Sequence, residues 1–196
     1  MKLAVVVAQF PRLSETFILR ELEGLRELGF EVTVYSLSAP RPTEAELVGN
    51  HGFEVVRRVP WATVPAAPRS LAALRDLLDL FVSGEGAVSA ERLSDLRHVT
   101  TALRWACDMT QRGIDWVHGH FAYVPSMVAL MCARVLDLPF SFEAHAWDLW
   151  CTRDDALLAK LLEEARFAAV CTDYGRNYLM ARTNPGATSY NDLHAL

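Results

Sequence analysis

The N-terminal part of the chain alternates apolar runs with an amphipathic stretch in a pattern that predicts a β-α-β unit. Residues 3–8 are a continuous apolar run, as expected for a central parallel strand that is covered on both faces. A helix follows, with Ser14 as its predicted N-cap and Glu15 in its first turn. Gly29 suits the left-handed end of this helix, and residues 30–37 form the second predicted strand. The apolar face of the helix is formed by Phe17, Ile18, Leu22, Leu25 and Leu28.

A second β-α-β unit is predicted within residues 114–150. Its first strand is the short apolar run at Trp116 and Val117, its helix covers residues 126–136, and its second strand covers residues 140–144. Strands that are joined through a helix in this way lie parallel, with a right-handed crossover.

Polar side chains follow both strands of this second unit. His118 and His120 lie on a predicted loop after the first strand, and His145 and Asp148 follow the second strand. The carboxyl ends of parallel strands line the ligand crevice of an open α/β sheet. We therefore expect these four side chains to converge at one edge of the sheet.

The rest of the chain continues the alternation of strands and helices. Its predicted fold class is α/β, with a doubly wound, mostly parallel, Rossmann-like sheet of about six strands. Residues 39–49 are predicted to be a loop or a short helix. Further predicted strands are residues 53–59, 167–171 and 188–190. Further predicted helices are residues 70–82, 89–112, 154–164 and 174–182.

The composition is that of a globular protein with a slightly acidic balance. Of the 196 residues, 52% are hydrophobic and 22% are charged, the net charge is -5, and no block of Lys or Arg provides a nucleic-acid footprint. No apolar run approaches the ~20 residues that a membrane span requires. The apolar N-terminus lacks a small-residue cleavage site, which favours a first strand over a signal peptide.

Four cysteines without C-x-x-C spacing are typical of a protein in a reducing cytosol, so the predicted location is the cytoplasm. Cys132 lies on the apolar stripe of a predicted helix, and Cys171 ends an apolar strand. Both are predicted to be small buried hydrophobic residues.

Three segments carry a family resemblance. Residues 10–18 read Phe-Pro-Arg-Leu-Ser-Glu-Thr-Phe-Ile, residues 118–122 read His-Gly-His-Phe-Ala, and residues 142–148 read Phe-Glu-Ala-His-Ala-Trp-Asp. In this order they resemble the F-P-x-x-S-E-T-F-I, H-x-H-F-A and F-T-A-H-A-x-D-I motifs of the bacterial glycosyltransferases of family 4, which include the colanic-acid and exopolysaccharide group. The resemblance covers nearly the whole chain.

The resemblance implies one half of a GT-B fold, in which two Rossmann-like domains face each other across a cleft. Residues 1–190 would be the N-terminal, acceptor-side domain, and residues 191–196 would begin the interdomain linker. The C-terminal donor domain, with its paired glutamates, is expected beyond this sequence. The implied reaction is retaining transfer of a sugar from a nucleotide-sugar donor to a glycan or lipid-linked acceptor, with no further cofactor and no metal.

We expect this chain to be inactive alone, because the donor half of the site is missing. The face that the missing domain would cover is expected to be apolar and to self-associate. A lipid-linked acceptor would place the protein at the inner face of the membrane as a peripheral protein. Trp147 and Trp150 leave three roles open, namely packing, stacking on a sugar and contact with a membrane surface.

The resemblance also implies roles for individual residues. His145 and Asp148 are the implied catalytic residues. His145 would contact the donor sugar or the reacting centre, while the donor's own phosphate takes the proton of the acceptor. Substrate binding is implied for Ser14, Glu15, Thr16, His118 and His120. The free N–H groups at the start of the first helix suit a phosphate or a hydroxyl.

The sequence departs from the family pattern in three places. Glu143 stands where the family usually has Thr, residues 173–177 follow the family's Asn-Arg run only loosely, and residues 190–193 lack the glycine of its Asn-Gly-x-Asp motif. These departures leave the donor-side boundary less well marked than the N-terminal motifs.

Two other classes of function stay open from the residues alone. A non-catalytic module that binds a glycan or a partner protein would use the same sheet edge. A metal-dependent hydrolase is the other alternative, because His118, His120, His145 and Asp148 are all legitimate metal ligands. A serine hydrolase is disfavoured, since the G-x-S-x-G motif is absent.

Overall fold

The computed structural model describes residues 1–48, 51–60, 90–151, 155–183 and 193–195. Seven strands in these ranges form one parallel sheet with the order β3-β2-β1-β4-β5-β6-β7. The strands are β1 (Lys2–Gln9), β2 (Glu31–Ser38), β3 (Glu54–Val56), β4 (Trp116–His120), β5 (Phe140–Ala144), β6 (Phe167–Val170) and β7 (Leu193–Ala195). The order reverses between β1 and β4, so the switch point of the doubly wound sheet lies there. The predicted fold class is confirmed.

The helices follow the apolar periodicity of the sequence, except that Phe17 and Leu28 of the predicted apolar face are exposed, the latter because the first helix ends at Glu27. They are α1 (Thr16–Glu27), α2 (Pro42–Val48), α3 (Ala90–Arg112), α4 (Val124–Leu136), α5 (Ala146–Cys151), α6 (Asp155–Glu164) and α7 (Asp173–Thr183). Gly29 and Gly113 both have a positive φ, as the predicted stops after α1 and α3 require. Among the described residues, no helix combines the length and the apolar character needed to cross a membrane.

The sheet is covered on both faces, which explains the continuous apolar run of β1. Ala4 and Val6 belong to a large core with α3 and α4, whereas Leu3, Val5 and Val7 belong to a second core under α1. A strand that is buried on both sides has no polar positions to alternate with apolar ones.

Helix α4 packs unusually close to β4, because Gly119 has no side chain. A Cβ atom at Gly119 would lie 2.6 Å from the Cα and the Oγ of Ser126. The hydroxyl of Ser126 donates a hydrogen bond of 2.6 Å to the carbonyl oxygen of Phe121. This contact holds the end of β4 against the start of α4.

Several local predictions are wrong. Ser14 does not cap α1, because Leu13–Glu15 form a separate 3-10 turn and the N-cap is Glu15, without a side-chain cap bond. Only Glu54–Val56 of the predicted strand 53–59 pair with β2, since the chain leaves this sheet edge at once. Cys171 is exposed rather than buried, because β6 ends one residue before it.

Other predictions fall on parts of the chain that lie outside the described residues. These are the helix at residues 70–82, the first residue of the helix predicted over residues 89–112, and the strand at residues 188–190. The described strand in this region is β7, which pairs with β6 and lies within the segment that was assigned to the linker. The domain boundary at residue 190 stays a prediction.

Candidate functional site

A cleft of about 440 Å³ opens at the carboxyl edge of the sheet, beside the switch point between β1 and β4. Ligands of doubly wound sheets bind in this position, because the loops on either side of the switch point diverge there. Its walls come from the β1–α1 segment and from the segments that follow β4 and β5. The lining residues are Arg12, Ser14, Glu15, Phe17, Phe121, Tyr123, His145 and Trp147.

His145 directly follows β5 and faces the beginning of α1 across this cleft. Its ring contacts two aromatic rings, with centroid distances of 4.7 Å to Phe17 and 4.8 Å to Phe121, and these two rings also contact each other. The Nε2 atom of His145 lies 3.6 Å from an oxygen of Glu143, and the Nδ1 atom lies 3.3 Å from the sulfur of Cys171. The 3.6 Å contact is too long for a hydrogen bond, so Nε2 of His145 is a buried nitrogen without a hydrogen-bond partner among the described residues.

Asp148 connects the loops around His145 through hydrogen bonds to their backbone N–H groups. It is fully buried, its Oδ1 atom accepts a 2.8 Å hydrogen bond from the backbone N–H of His145, and its Oδ2 atom accepts one from the backbone N–H of Ala122. The bond back to residue 145, just before α5, has the geometry of the acidic partner in a capping box. The carboxylate thus joins the chain after β4 to the chain after β5.

Phe121 has a φ of 72°, a conformation that non-glycine residues seldom adopt. Its backbone N–H donates to the carbonyl oxygen of Glu143 at 2.9 Å, and its carbonyl oxygen accepts from the backbone N–H of Tyr123 at 2.8 Å. These bonds hold the strained turn, and the turn places the Phe121 ring against His145. Strain of this kind is concentrated at functional sites of proteins.

The wall of the cleft that comes from the β1–α1 segment contains an ion pair between Arg12 and Glu15, and one carboxylate oxygen of Glu15 takes no part in it. Arg12 contacts Oε1 of Glu15 at 2.7 Å, and burial raises the pKa of Glu15 even though Arg12 acts in the other direction. The Oε2 atom of Glu15 is buried without a hydrogen-bond partner among the described residues. Ser14 lines the cleft beside this pair, whereas Thr16 is exposed and does not belong to its lining.

The two tryptophans after β5 have different surroundings. Trp147 is 60% exposed at the rim of the cleft, and its ring lies 5.6 Å from the ring of Tyr123. Trp150 stacks on Tyr174 and Tyr178 of α7, with centroid distances of 5.7 Å and 5.1 Å. Trp150 therefore packs within the domain, and Trp147 is available to a ligand.

Four polar side chains form a buried layer next to the cleft, and we call them the His–Glu cluster. His118 and His120 belong to β4 rather than to a loop, Glu143 belongs to β5, and Glu21 belongs to α1. The ring of His120 lies between two carboxylates, with Nε2 3.4 Å from Glu21 and Nδ1 3.3 Å from Glu143. Neither histidine lines the cleft described above.

Burial determines the charges in the His–Glu cluster. Burial lowers the pKa of His118 to about 4 and that of His120 to about 3, so both rings are neutral at neutral pH. Burial and the neighbouring Glu143 raise the pKa of Glu21 to about 8. Burial alone would also raise the pKa of Glu143, but the nearby imidazoles of His145 and His120 lower it. The two carboxyl groups therefore share one negative charge.

The structure brings the predicted residues together only in part. His145, Ser14 and Glu15 meet at the cleft, as expected from their positions at strand and helix ends. The predicted metal set of His118, His120, His145 and Asp148 is not assembled among the described residues, because Asp148 bonds to backbone N–H groups instead. The groups that do have metal-ligand spacing are the His–Glu cluster and the set of Glu143, His145 and Cys171.

Two acidic residues of this region were missed, although the sequence contains a signal for one of them. Residues 18, 21, 22 and 25 have the spacing of one helix face, and Glu21 is the only polar residue among them. Glu143 gives no such signal, because a strand that is buried on both faces has no periodicity to interrupt.

No model of a known protein family matches the chain, and no curated protein matches it. Solved structures do show the same fold. The chain is similar to a UDP-N-acetylglucosamine 2-epimerase from Listeria monocytogenes, with a TM-score of 0.54, 12% identity and coverage of 94% of this chain and 42% of that one. A UDP-GlcNAc 2-epimerase from Neisseria meningitidis bound to UDP-GlcNAc has a TM-score of 0.52, 12% identity and coverage of 94% and 44%.

Sucrose-phosphate synthase from Thermosynechococcus elongatus provides a second type of neighbour. One of its structures has a TM-score of 0.54, 15% identity and coverage of 97% of this chain and 91% of that one, whereas another is covered over only 45% of its length. The chain thus spans less than half the length of the epimerases. Its fold is a Rossmann-like α/β domain of the kind that forms one half of a GT-B protein.

Proposed function

We propose that this chain is the acceptor-side domain of a retaining glycosyltransferase, which transfers a sugar from a nucleotide-sugar donor to a glycan or lipid-linked acceptor. One observation carries the proposal. His145 stands at the tip of β5, in contact with Phe17 and Phe121, in a cleft at the switch point of the sheet. This is where a doubly wound sheet binds its ligand.

The structural neighbours support this class of function through what they are named for. One neighbour is a UDP-N-acetylglucosamine 2-epimerase, and another is a sucrose-phosphate synthase. Both names describe chemistry on sugars, and the first includes a nucleotide-sugar. The three motifs that resemble family 4 glycosyltransferases line or adjoin the same cleft, which connects the resemblance with the geometry.

The proposed reaction passes through an oxocarbenium-like state, while negative charge grows on the leaving phosphate. Donors held in place near that charge stabilise it. Arg12 offers a guanidinium, and the start of α1 offers backbone N–H groups that no side chain caps. His145 contacts the reacting sugar while the donor's own phosphate takes the acceptor proton, and the Glu143 carboxylate lies beside the imidazole ring.

The acceptor sugar binds in the same cleft in this proposal. The free Oε2 atom of Glu15 accepts a hydrogen bond from a sugar hydroxyl. Tyr123 and Trp147 provide an aromatic surface for the apolar face of a sugar ring. Asp148 is a positioning residue rather than a catalytic one, because both of its oxygens already accept backbone hydrogen bonds.

The donor half of the site is proposed to come from a second domain that follows this chain, so the chain alone would bind an acceptor and transfer nothing. The exposed apolar side chains Leu13, Phe17 and Trp147 near the cleft suit contact with that domain. The same surface would drive self-association of the isolated chain, which light scattering can measure.

The test uses this domain joined to the donor domain that the proposal requires. UDP release is measured with UDP-glucose and UDP-N-acetylglucosamine in the presence of candidate acceptors. His145→Gln is expected to lower kcat by about 10²–10³-fold, the usual cost of removing one preorganised polar group beside the transition state. His98→Gln on α3 is the matched control and should keep normal activity. A folded His145→Gln protein with full turnover would contradict the proposal and favour a glycan-binding module.

A further inference from the structure

The His–Glu cluster contains imidazole nitrogens whose hydrogen bonds are not accounted for. His120 is completely buried, and neither of its ring nitrogens makes a well-formed hydrogen bond among the described residues. The Nε2 atom of His118 is also buried without a partner. Buried polar side-chain atoms are nearly always bonded, so three such nitrogens in one layer require an explanation.

The surroundings of the two rings differ at their two nitrogens. The Nδ1 atom of His118 lies 2.7 Å from the hydroxyl of Ser141, and the Nδ1 atom of His120 lies 3.3 Å from a carboxylate oxygen of Glu143. Histidines that bind a metal through one nitrogen usually donate the other N–H to a hydroxyl, carbonyl or carboxylate in this way. The two Nε2 atoms are the nitrogens that this arrangement leaves free.

We propose that His118 and His120, through their Nε2 atoms, and Glu21, through its carboxylate, bind a divalent transition-metal ion. Ser141 and Glu143 orient the two imidazoles. Metal–ligand bonds of about 2.1 Å place the donor atoms of a tetrahedral site about 3.4 Å apart. The Nε2 atom of His120 and the Oε2 atom of Glu21 are 3.4 Å apart, and the ligand atoms of the whole cluster lie within 4.8 Å of one another.

The ligand types select the class of ion. Two imidazoles and a carboxylate suit zinc, iron, cobalt or nickel, whereas calcium and magnesium prefer sites made entirely of oxygen ligands. The side chain of Glu21 is 35% exposed, so an ion reaches the buried histidines along the edge of α1. The bound ion joins α1 to β4 and lies beside the cleft that contains His145.

The experiment uses the untagged 196-residue chain after treatment with a chelator. Equilibrium dialysis against Zn²⁺ followed by elemental analysis is expected to give one ion per chain. Co²⁺ should give the visible absorption of a cobalt ion with nitrogen and oxygen ligands. Zn²⁺ should also raise Tm increasingly with its free concentration, whereas Mg²⁺ at the same concentration should not.

Glu21→Gln assigns the ion to this cluster without disturbing the fold. The amide fills the same space beside His120 without adding a charge, so Tm without metal should not fall. Zn²⁺ affinity should fall by more than the roughly 10–100-fold that is typical for loss of an outer-sphere partner. Glu27→Gln on the exposed end of α1 is the matched control and should bind Zn²⁺ normally. His118→Gln should lose the cobalt spectrum.

Two results would overturn the proposal. One is the absence of stoichiometric Zn²⁺ and Co²⁺ binding by the folded wild-type chain. This would mean that protonated Glu21 donates a hydrogen bond to His120 in place of a metal ion. The other is stoichiometric binding that Glu21→Gln and His118→Gln leave unchanged, which would place the ion elsewhere. Neither result depends on glycosyltransferase activity, so the metal site and the proposed function stand or fall separately.

Discussion

Helix α1 covers two halves of the same sheet face. The side chains buried under it are apolar in one half and polar in the other. Over β1 and β2 it packs on Leu3, Val5, Val7 and Val34, all apolar and buried. Over β4 and β5 the corresponding positions are polar. A single row across the sheet, set by the strand register, reads Val34, Val5, His118, Ser141 and Phe167.

The contrast shows how stability and chemistry are divided within one layer. Burial of apolar surface is favourable wherever it occurs, but a buried polar group destabilises the fold unless it has a partner. The apolar half therefore stabilises the sheet without further conditions. The polar half is tolerated because Trp116, His118, Ser141, His120 and Glu143 contact one another, and it supports His145 from below.

A substitution in the apolar half should cause the largest loss of stability. Leu22 is fully buried under α1, and Leu22→Ala is expected to lower the free energy of unfolding by about 2–5 kcal/mol, because it removes buried surface and leaves a cavity. Urea unfolding followed by circular dichroism measures this. Leu28→Ala, at a position that is 77% exposed, should change it by less than about 0.5 kcal/mol. Equal losses at both positions would remove the distinction between buried and exposed faces of α1.

The polar half has its strongest single support in Asp148. Asp148→Asn keeps the shape but turns an amide NH₂ toward one of the two backbone N–H groups that the carboxylate accepts. Charged hydrogen bonds of this kind contribute about 1.5–3 kcal/mol, so we expect a loss of about 2–3 kcal/mol.

Asp173→Asn is the control for this substitution, because Asp173 has an exposed side chain in the first turn of α7. It should unfold like the wild-type chain. If Asp148→Asn were equally harmless, the loops after β4 and β5 would not depend on the carboxylate, and Asp148 would be free for the catalytic role that the family resemblance implies.

The apolar half was also the part that sequence reasoning described well. A continuous apolar run can only be buried on both sides, and Ile18, Leu22 and Leu25 repeat with the period of a helix. These patterns depend on which positions are apolar, and local sequence records that directly. The polar clusters at strand ends were equally visible, so His145 was placed correctly at the edge of the sheet.

The polar half resisted prediction because its contacts are distant in sequence. Glu21 meets His120 across roughly a hundred residues, and only the register of the strands under α1 brings them together. His118 and His120 were assigned to a loop, since polar residues after a short apolar run usually mark its end. The strand continues through them because Ser141 and Glu143 on β5 supply polar neighbours.

Ser141 tests whether partners within the polar half are needed. Its hydroxyl accepts from the Trp116 indole N–H at 2.8 Å and lies 2.7 Å from Nδ1 of His118. Ser141→Ala leaves both groups without this partner, and we expect the free energy of unfolding to fall by about 1 kcal/mol. Ser38→Ala removes an exposed hydroxyl that bonds to the Ala8 carbonyl, and should have a smaller effect. The reverse order would mean that water replaces Ser141 inside the sheet.

The smallest effect is expected where water can screen the charges. Glu164 contacts Arg134 and Lys160 near the surface. Burial raises the pKa of Glu164, but the hydrogen bonds from Arg134 and Lys160 outweigh it and lower the pKa. A carboxyl group with a depressed pKa stabilises the fold above its unfolded pKa and loses this contribution as the pH falls through its folded pKa.

Glu164→Gln should therefore cost less than about 1 kcal/mol near neutral pH, because exposed ion pairs are weak. The cost should disappear in acid, below the depressed pKa of the wild-type carboxyl. Urea unfolding of both proteins at neutral and at acidic pH measures the difference, and Glu163→Gln, which shares Lys160, is the control. A loss of stability that is equal at both pH values would show that Glu164 contributes through packing rather than through its charge.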